Sequence, residues 1–179
     1  MSVTCTQIND VTKDTTIYVG VSTSLDLTLT NNTGADITVN SGGNPSAFQV
    51  YLPEYFTATE LENMSIALTG WTFEANTDSL MLTYSGTDSF TWENGDDLAF
   101  TITNVEASES PSTGSTQINF QNFTGNLPFS VNAPLNLVNP PAVGNASLTD
   151  VLQVFLEDQG KVYVSPSNDP LENTLISQF

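Results

Sequence analysis

The sequence has no histidine, and the basic residues number only two among 179. Histidine is the commonest general base and the commonest imidazole metal ligand, so Ser-His-Asp and Cys-His catalytic arrangements are impossible here. No glycine-rich loop precedes a phosphate-binding lysine, and no dinucleotide fingerprint opens a helix. A pair of carboxylates is the remaining catalytic device, but scattered acids form such pairs by chance. We therefore expect no catalytic residue, no cofactor and no enzyme activity.

Positive charge is nearly absent as well. The two basic residues are Lys13 and Lys161, and 20 acidic residues give a net charge of −18 at pH 7. Such a surface repels phosphate backbones and lacks the basic clusters that bind them, which excludes nucleic acid as a partner. No apolar run approaches the roughly 20 residues of a membrane span. We expect a soluble protein without a membrane partner, whose acidity either maintains solubility or attracts cations.

Cysteine and targeting signals say little about location. Cys5 is the single cysteine, so an intrachain disulfide is impossible, and its position favours a small strand residue over a reactive thiol. The sequence opens without the basic and apolar segments of a classical secretion signal. We expect removal of a signal, another export route or retention inside the cell, and we favour an extracellular or assembly-associated location.

Short runs with apolar residues at alternate positions fill most of the chain. Residues 17–21 and 25–29 have the two-residue period of half-buried strands. Asn and Gly tolerate positive φ, so the run Asn31 to Gly34 predicts a hairpin turn whose second strand covers residues 36–39. Further strands are predicted around residues 48–52, 66–73, 80–84, 98–102 and 118–120.

Turn and helix signals complete this pattern. Thr57 and Glu60 have the spacing of a capping box and predict one helical turn. A bulge is predicted at Gly70, a hairpin across residues 76–78 and a loop over residues 108–115. Short strands without ten-residue helical patterns between them predict an all-β, antiparallel sandwich.

The pattern changes after Val131, where prolines 134, 140 and 141 cannot donate to a sheet. We predict an N-terminal arm over residues 1–15, a β-sandwich over 16–132, and a Pro/Asn-rich linker with an appended C-terminal docking segment over 133–179. In that segment, residues 148–155 fit either an amphipathic helical turn or a strand. Residues 161–164 are predicted to form a strand, and residues 175–176 form the last predicted element.

Two groups of residues could form a binding site. The turn at residues 93–97 gathers oxygen ligands, and Glu93, Asp96 and Asp97 are candidate calcium ligands. The turn lacks the alternating acids of an EF-hand loop, so an acidic hairpin without metal is the alternative. Aromatic side chains stack on sugars if several share an exposed face, whereas alternating strand positions favour the core. The aromatics are Tyr51, Tyr55, Trp71, Tyr84, Trp92 and Tyr163, and the two tryptophans are the best core candidates.

Two stretches carry a resemblance to a known family. Residues 25–39 have the sequence LDLTLTNNTGADITV, and residues 92–105 have the sequence WENGDDLAFTITNV. The first resembles the opening hairpin, and the second a later strand pair, of bacterial immunoglobulin-like surface and adhesion modules. The resemblance spans residues 16–132 and implies an immunoglobulin-like sandwich that serves as a spacer, adhesin or building block.

Two functions follow as hypotheses. The first is a non-enzymatic structural or protein-interaction module, a subunit or cargo of a larger bacterial or phage-like assembly. Residues 133–179 would then dock to a protein partner or to another copy, or fold back on the sandwich. The alternative is a carbohydrate-binding, lectin-like module that uses exposed aromatics and calcium.

Overall fold

A computed structural model describes residues 2–140, which form twelve strands and one short helix. The strands have three to ten residues. The elements are β1 (Ser2–Asn9), β2 (Thr16–Tyr18), β3 (Thr23–Asn32), β4 (Ile37–Val39), β5 (Ala47–Tyr51), α1 (Ala58–Asn63), β6 (Ser65–Ala67), β7 (Trp71–Ala75), β8 (Leu80–Tyr84), β9 (Phe90–Trp92), β10 (Asp97–Val105), β11 (Ser112–Gln121) and β12 (Ser130–Val138).

Two large sheets pack around one core. One has the order β1-β3-β10-β6, and the other has the order β2-β12-β11-β5-β8-β7. All pairs are antiparallel except β2 with β12, and β4 and β9 form a small separate sheet. In the letters of the immunoglobulin fold, the first sheet has the order A-B-E-D, and β12-β11-β5 has the order G-F-C. The fold is therefore an immunoglobulin-like β-sandwich, which confirms the predicted fold class.

The alternating apolar residues fill the core as predicted. Leu25, Leu27 and Leu29 from one sheet are fully buried, as are Phe48 and Leu82 from the other. Burial of one such side chain stabilises the fold by about 1.5–3 kcal/mol. An aromatic cluster includes Phe48 stacked on Trp71, with ring centroids 4.7 Å apart. The core therefore follows from the two-residue period of the strands.

The helix and one hairpin are also where the sequence places them. Helix α1 begins after Thr57, whose Oγ1 accepts a hydrogen bond from the Glu60 amide at 3.3 Å. Glu60 Oε2 accepts one from the Thr57 amide at 2.7 Å, which completes the predicted capping box. The predicted hairpin of β7 and β8 is present, with Glu74 opposite Met81. Helix α1 lies between β5 of one sheet and β6 of the other.

The predicted hairpin at residues 31–34 is wrong in its pairing. Strand β3 pairs with β1 and β10, whereas β4 pairs with β9. The reason is the buried Asn31, whose Nδ2 donates to the Ala35 carbonyl at 3.0 Å and to the Trp92 carbonyl at 2.9 Å. These bonds hold the turn against β9, so the chain leaves the four-stranded sheet after β3 and forms β4 beside β9. Likewise β9 and β10 belong to different sheets, so residues 92–105 do not form the strand pair that the resemblance implies.

The predicted strand over residues 66–73 is in fact two strands. Strand β6 belongs to the four-stranded sheet and β7 to the six-stranded sheet. Between them the Trp71 amide donates to the Leu68 carbonyl at 3.0 Å, and Gly70 has a φ of +81°. Gly70 therefore allows a turn from one sheet to the other, and the bulge predicted there is wrong.

The predicted domain limits also need correction. The region assigned to an N-terminal arm contains β1, which pairs with β3 over its whole length, so it belongs to the sandwich. Strand β11 starts at Ser112, inside the predicted loop, and β12 continues to Val138, inside the predicted linker. Because β2 pairs only with residues 136–138, Pro134 lies where β12 lacks a partner on one side, which tolerates a missing N–H.

The elements predicted beyond Pro140 lie outside the described residues. Of the predicted docking segment, residues 133–138 belong to β12 instead. No helix within residues 2–140 is long and apolar enough to cross a membrane.

Candidate functional site

The predicted calcium turn is held by hydrogen bonds. Asp97 Oδ1 accepts from Thr30 Oγ1 at 2.6 Å, and the Asp96 amide donates to the Glu93 carbonyl at 3.1 Å. Within residues 2–140, no three His, Cys, Asp or Glu side chains are grouped so that they could hold a metal ion. The structure thus does not bring Glu93, Asp96 and Asp97 together as a ligand set. Calcium binding at this turn stays a prediction.

The aromatic residues do not form one exposed platform. Trp92 is 2% exposed, which confirms its predicted core position, and its Nε1 donates to the Asp96 carbonyl at 2.9 Å. Trp71 and Tyr84 are partly buried and pack edge to face, with ring centroids 5.4 Å apart. Tyr55 is buried. Tyr51 remains as a half-buried aromatic on an outward-facing strand position, whereas Tyr163 lies outside the described residues.

The outer surface of the four-stranded sheet is built from short side chains, and we call it the threonine face. It includes three Thr-x-Thr motifs on three adjacent strands, at residues 4–6, 28–30 and 101–103. Twelve of its fifteen outward-facing residues are Ser, Thr, Ala or Ile. The fifteen are Ser2, Thr4, Thr6, Ile8, Ser24, Asp26, Thr28, Thr30, Asn32, Ser65, Ala67, Asp97, Ala99, Thr101 and Thr103.

The polar groups of the threonine face bond to one another. Thr101 Oγ1 donates to Asp26 Oδ1 at 2.6 Å, just as Thr30 Oγ1 donates to Asp97 at 2.6 Å. Asn32 Nδ2 donates to Thr4 Oγ1 at 3.0 Å. Both carboxylates of the face thus have a hydroxyl donor, and their side chains are held in place.

The outer surface of the six-stranded sheet is different, and we call it the amide face. Gln121 Nε2 donates to Gln49 Oε1 at 2.9 Å, and Gln49 Nε2 donates to Ser79 Oγ at 3.1 Å. The one charged residue among its outward positions is Glu74. The outward-facing residues are Thr16, Tyr18, Ala47, Gln49, Tyr51, Thr72, Glu74, Met81, Thr83, Thr113, Ser115, Gln117, Asn119, Gln121, Ser130, Asn132, Pro134, Asn136 and Val138.

An open groove of about 600 Å³, the amide groove, lies where β5 ends on this face. Tyr51, Gln117 and Asn132 stand in one row there, because the register pairs Tyr51 with Gln117 and Gln117 with Asn132. Two inter-strand spacings separate the ends of the row, about 10 Å. Gln117 Nε2 donates to Ser130 Oγ at 3.1 Å, which orients its amide. The groove thus combines one aromatic ring with two planar amides.

The segment from Pro53 to Phe56 forms the wall of the amide groove. Tyr55 Oη donates to the Leu135 carbonyl at 2.8 Å, and burial raises the pKa of the Tyr55 hydroxyl well above its ordinary value. A Cβ atom at Gly114 would lie 2.6 Å from Pro53 Cβ. Only glycine at position 114 therefore lets the wall sit this close to β11.

A second, acidic cleft of about 520 Å³ lies beside helix α1 and is lined by Glu60, Asn104 and Glu106. Glu60 Oε1 accepts from the amide and Oγ of Ser108, both at 2.8 Å. Burial alone would raise the pKa of Glu60, but its hydrogen bonds with Thr57 and Ser108 together hold that pKa below its ordinary value. Both carboxylate oxygens of Glu60 accept hydrogen bonds, from Thr57 and from Ser108, so this residue has a structural role.

Most negative charge lies away from the two faces. Residues 2–140 contain fifteen carboxylates, of which Asp26, Glu74 and Asp97 face outward from strands, and the others lie in loops, turns and α1. Sequence reasoning missed both faces because it searched for clusters of ligating residues. The available signal was the polar half of each alternating strand, where Thr-x-Thr recurs.

Comparisons with known proteins identify no family for this chain. No protein-family model and no curated protein sequence matches the chain significantly. Among solved structures, the chain is similar to the bacterial hydrophobin BslA, with a TM-score of 0.47 and 12% identity over 79% of this chain and 97% of that one. An uncharacterized protein from Nocardia farcinica with an immunoglobulin-like fold gives 0.46 and 13% over 75% and 99%. A non-cellulosomal cohesin from Archaeoglobus fulgidus gives 0.39 and 8% over 78% and 93%.

Proposed function

We propose that the chain is a non-enzymatic structural or protein-interaction module, a subunit or cargo of a larger bacterial or phage-like assembly. The observation that carries the proposal is the composition of the threonine face. Protein contacts order the side chains that they bury, which costs about 1.5–2 kcal/mol for each Gln, Glu or Lys and much less for short side chains. A face of Ser, Thr, Ala and Ile therefore loses little entropy on contact.

The distribution of charge also favours the threonine face as the contact surface. Two copies with a net charge of −18 repel one another, but contact through the threonine face keeps most carboxylates away from the interface. The two carboxylates on the face, Asp26 and Asp97, already accept hydrogen bonds from threonines. The face is self-complementary in polarity, so a second copy in a two-fold arrangement is the occupant that we propose.

The size of the face sets the expected affinity. Four strands and about eight residues of strand length give a surface of about 15 by 27 Å. Two such faces bury roughly 800 Å² together, which is below the standard interface size. Association through this face alone is therefore weak, and an assembly adds further contacts.

Sedimentation velocity over increasing concentrations of the full chain tests the proposal. We expect the weight-average sedimentation coefficient to rise above that of a monomer at high concentration, and to rise further with added salt, which screens repulsion. Thr28→Glu, at the centre of the face, should require at least ten-fold more protein to reach the same sedimentation coefficient. Thr72→Glu on the amide face is the matched control and should behave like the wild type. A wild type that stays monomeric throughout, or equal weakening by both substitutions, would overturn the proposal.

A further inference from the structure

We propose that the amide groove binds an uncharged polysaccharide through a row formed by Tyr51, Gln117 and Asn132. The register of β5, β11 and β12 places these residues side by side on the amide face. An aromatic ring stacks on the apolar face of a pyranose ring, and planar amides bond to its hydroxyls. This inference concerns a different sheet from the protein contact proposed above and does not depend on it.

The apolar part of the groove is fixed before any ligand arrives. Phe56 and Leu61 line it and are 7% and 4% exposed. The wall above them is held by the hydrogen bond of Tyr55 to β12 and by the close contact of Pro53 with Gly114. A preformed site spares the ligand the cost of ordering the protein.

The polar part favours hydroxyl groups. Ser115, Thr77 and the amides of Gln117 and Asn132 line the groove and both donate and accept hydrogen bonds. Gln117 is oriented by Ser130, at 3.1 Å. A few placed polar groups beside apolar walls are typical of ligand sites, and a sugar hydroxyl can bond both to a donor and to an acceptor.

Charge decides which sugars fit. The two charged side chains that line the groove are Glu54 and Asp78, and both are acidic. Carboxylates accept hydrogen bonds from sugar hydroxyls but repel uronic acids and sulfated or sialylated glycans. The proposed ligand is therefore a neutral hexose polymer. The open shape of the groove suits an internal segment of a chain better than an isolated monosaccharide.

Affinity electrophoresis of the full chain tests the proposal. The gels contain mixed-linkage glucan, galactomannan, laminarin or dextran as neutral polymers, and polygalacturonate as the anionic control. We expect retardation in at least one neutral gel and none in polygalacturonate. Titration calorimetry with a hexasaccharide of the retarding polymer then gives the affinity of the free ligand. No retardation by any neutral polymer, or retardation only by polygalacturonate, would overturn the proposal.

Two substitutions assign the binding to the groove. Tyr51→Ala should weaken binding about ten-fold, which corresponds to about 1.4 kcal/mol. Tyr18→Ala is the matched control, because Tyr18 is also half-buried on the amide face but lies outside the groove. Far-ultraviolet circular dichroism checks that both variants fold. Equal binding by wild type and Tyr51→Ala, or equal losses in both variants, would show that the groove is not the site.

Discussion

The two sheets of this sandwich share one core but present opposite kinds of surface. The threonine face consists of short side chains with little entropy to lose, and Asp26 and Asp97 are bonded there by neighbouring hydroxyls. The amide face has longer side chains and a groove whose wall depends on tight packing at Gly114. The threonine face should therefore tolerate small polar-to-apolar changes, whereas the groove wall should not.

The largest effect is expected at Gly114. Gly114→Ala places a Cβ atom 2.6 Å from Pro53 Cβ, so the wall or β11 must move. Overpacking of this kind costs about 1–3 kcal/mol in the free energy of unfolding. Gly43→Ala is the control, since no atom lies within 4 Å of a Cβ there. Urea unfolding followed by tryptophan fluorescence measures both, and equal stabilities would show that the wall adapts freely.

The next effect concerns the hydrogen bond that pins the wall. Tyr55→Phe removes the donor to the Leu135 carbonyl, a buried bond of 2.8 Å. Loss of a buried hydrogen bond costs up to about 1.5 kcal/mol. Tyr84→Phe is the control, because Tyr84 Oη donates to the Asp88 carbonyl at 2.9 Å in an exposed setting. Thermal melts should place Tyr55→Phe well below Tyr84→Phe, and the reverse order would contradict this account of the wall.

The helix that connects the two sheets gives a smaller effect with a defined pH dependence. Thr57→Ala should destabilise the protein by about 1 kcal/mol through loss of the helix cap. The pKa of Glu60 is lowered in the folded state, so its contribution is present above its ordinary pKa and is lost as the pH falls through the folded value.

Glu60→Gln tests that pH dependence. Its stability difference from the wild type should be constant from pH 7 to pH 5 and should shrink as the pH falls below the ordinary pKa of 4.5. Glu62→Gln, also in α1, is the control. A difference that grows below pH 4 would mean that the Glu60 carboxylate is not stabilised by folding.

The smallest effect is expected on the threonine face. Thr101→Val removes the donor to Asp26, but both residues lie at the surface, where water replaces the bond. Valine also suits a strand at least as well as threonine does. The change in unfolding free energy should stay within about 0.5 kcal/mol. A loss as large as that of Tyr55→Phe would remove the distinction between the two faces.

The fold class and the core could be predicted from the sequence, because the two-residue period marks buried positions locally. The capping box at Thr57 and the hairpin of β7 and β8 were equally local and are confirmed. Strand partners were not local. The turn at Asn31 satisfies the hairpin pattern, yet the side chain of Asn31 bonds to the carbonyl of Trp92, 61 residues away. The groove escaped sequence reasoning for the same reason, since Tyr51, Gln117 and Asn132 meet only through the sheet register.

The most direct test of the central claim, that the two faces have separate functions, measures both activities in the same two variants. Thr28→Glu and Tyr51→Ala are each examined by sedimentation velocity and by affinity electrophoresis in a neutral polysaccharide. If the two faces act separately, Thr28→Glu loses self-association and keeps polysaccharide binding, whereas Tyr51→Ala does the opposite. Loss of both activities in either variant, with the fold intact, would contradict it.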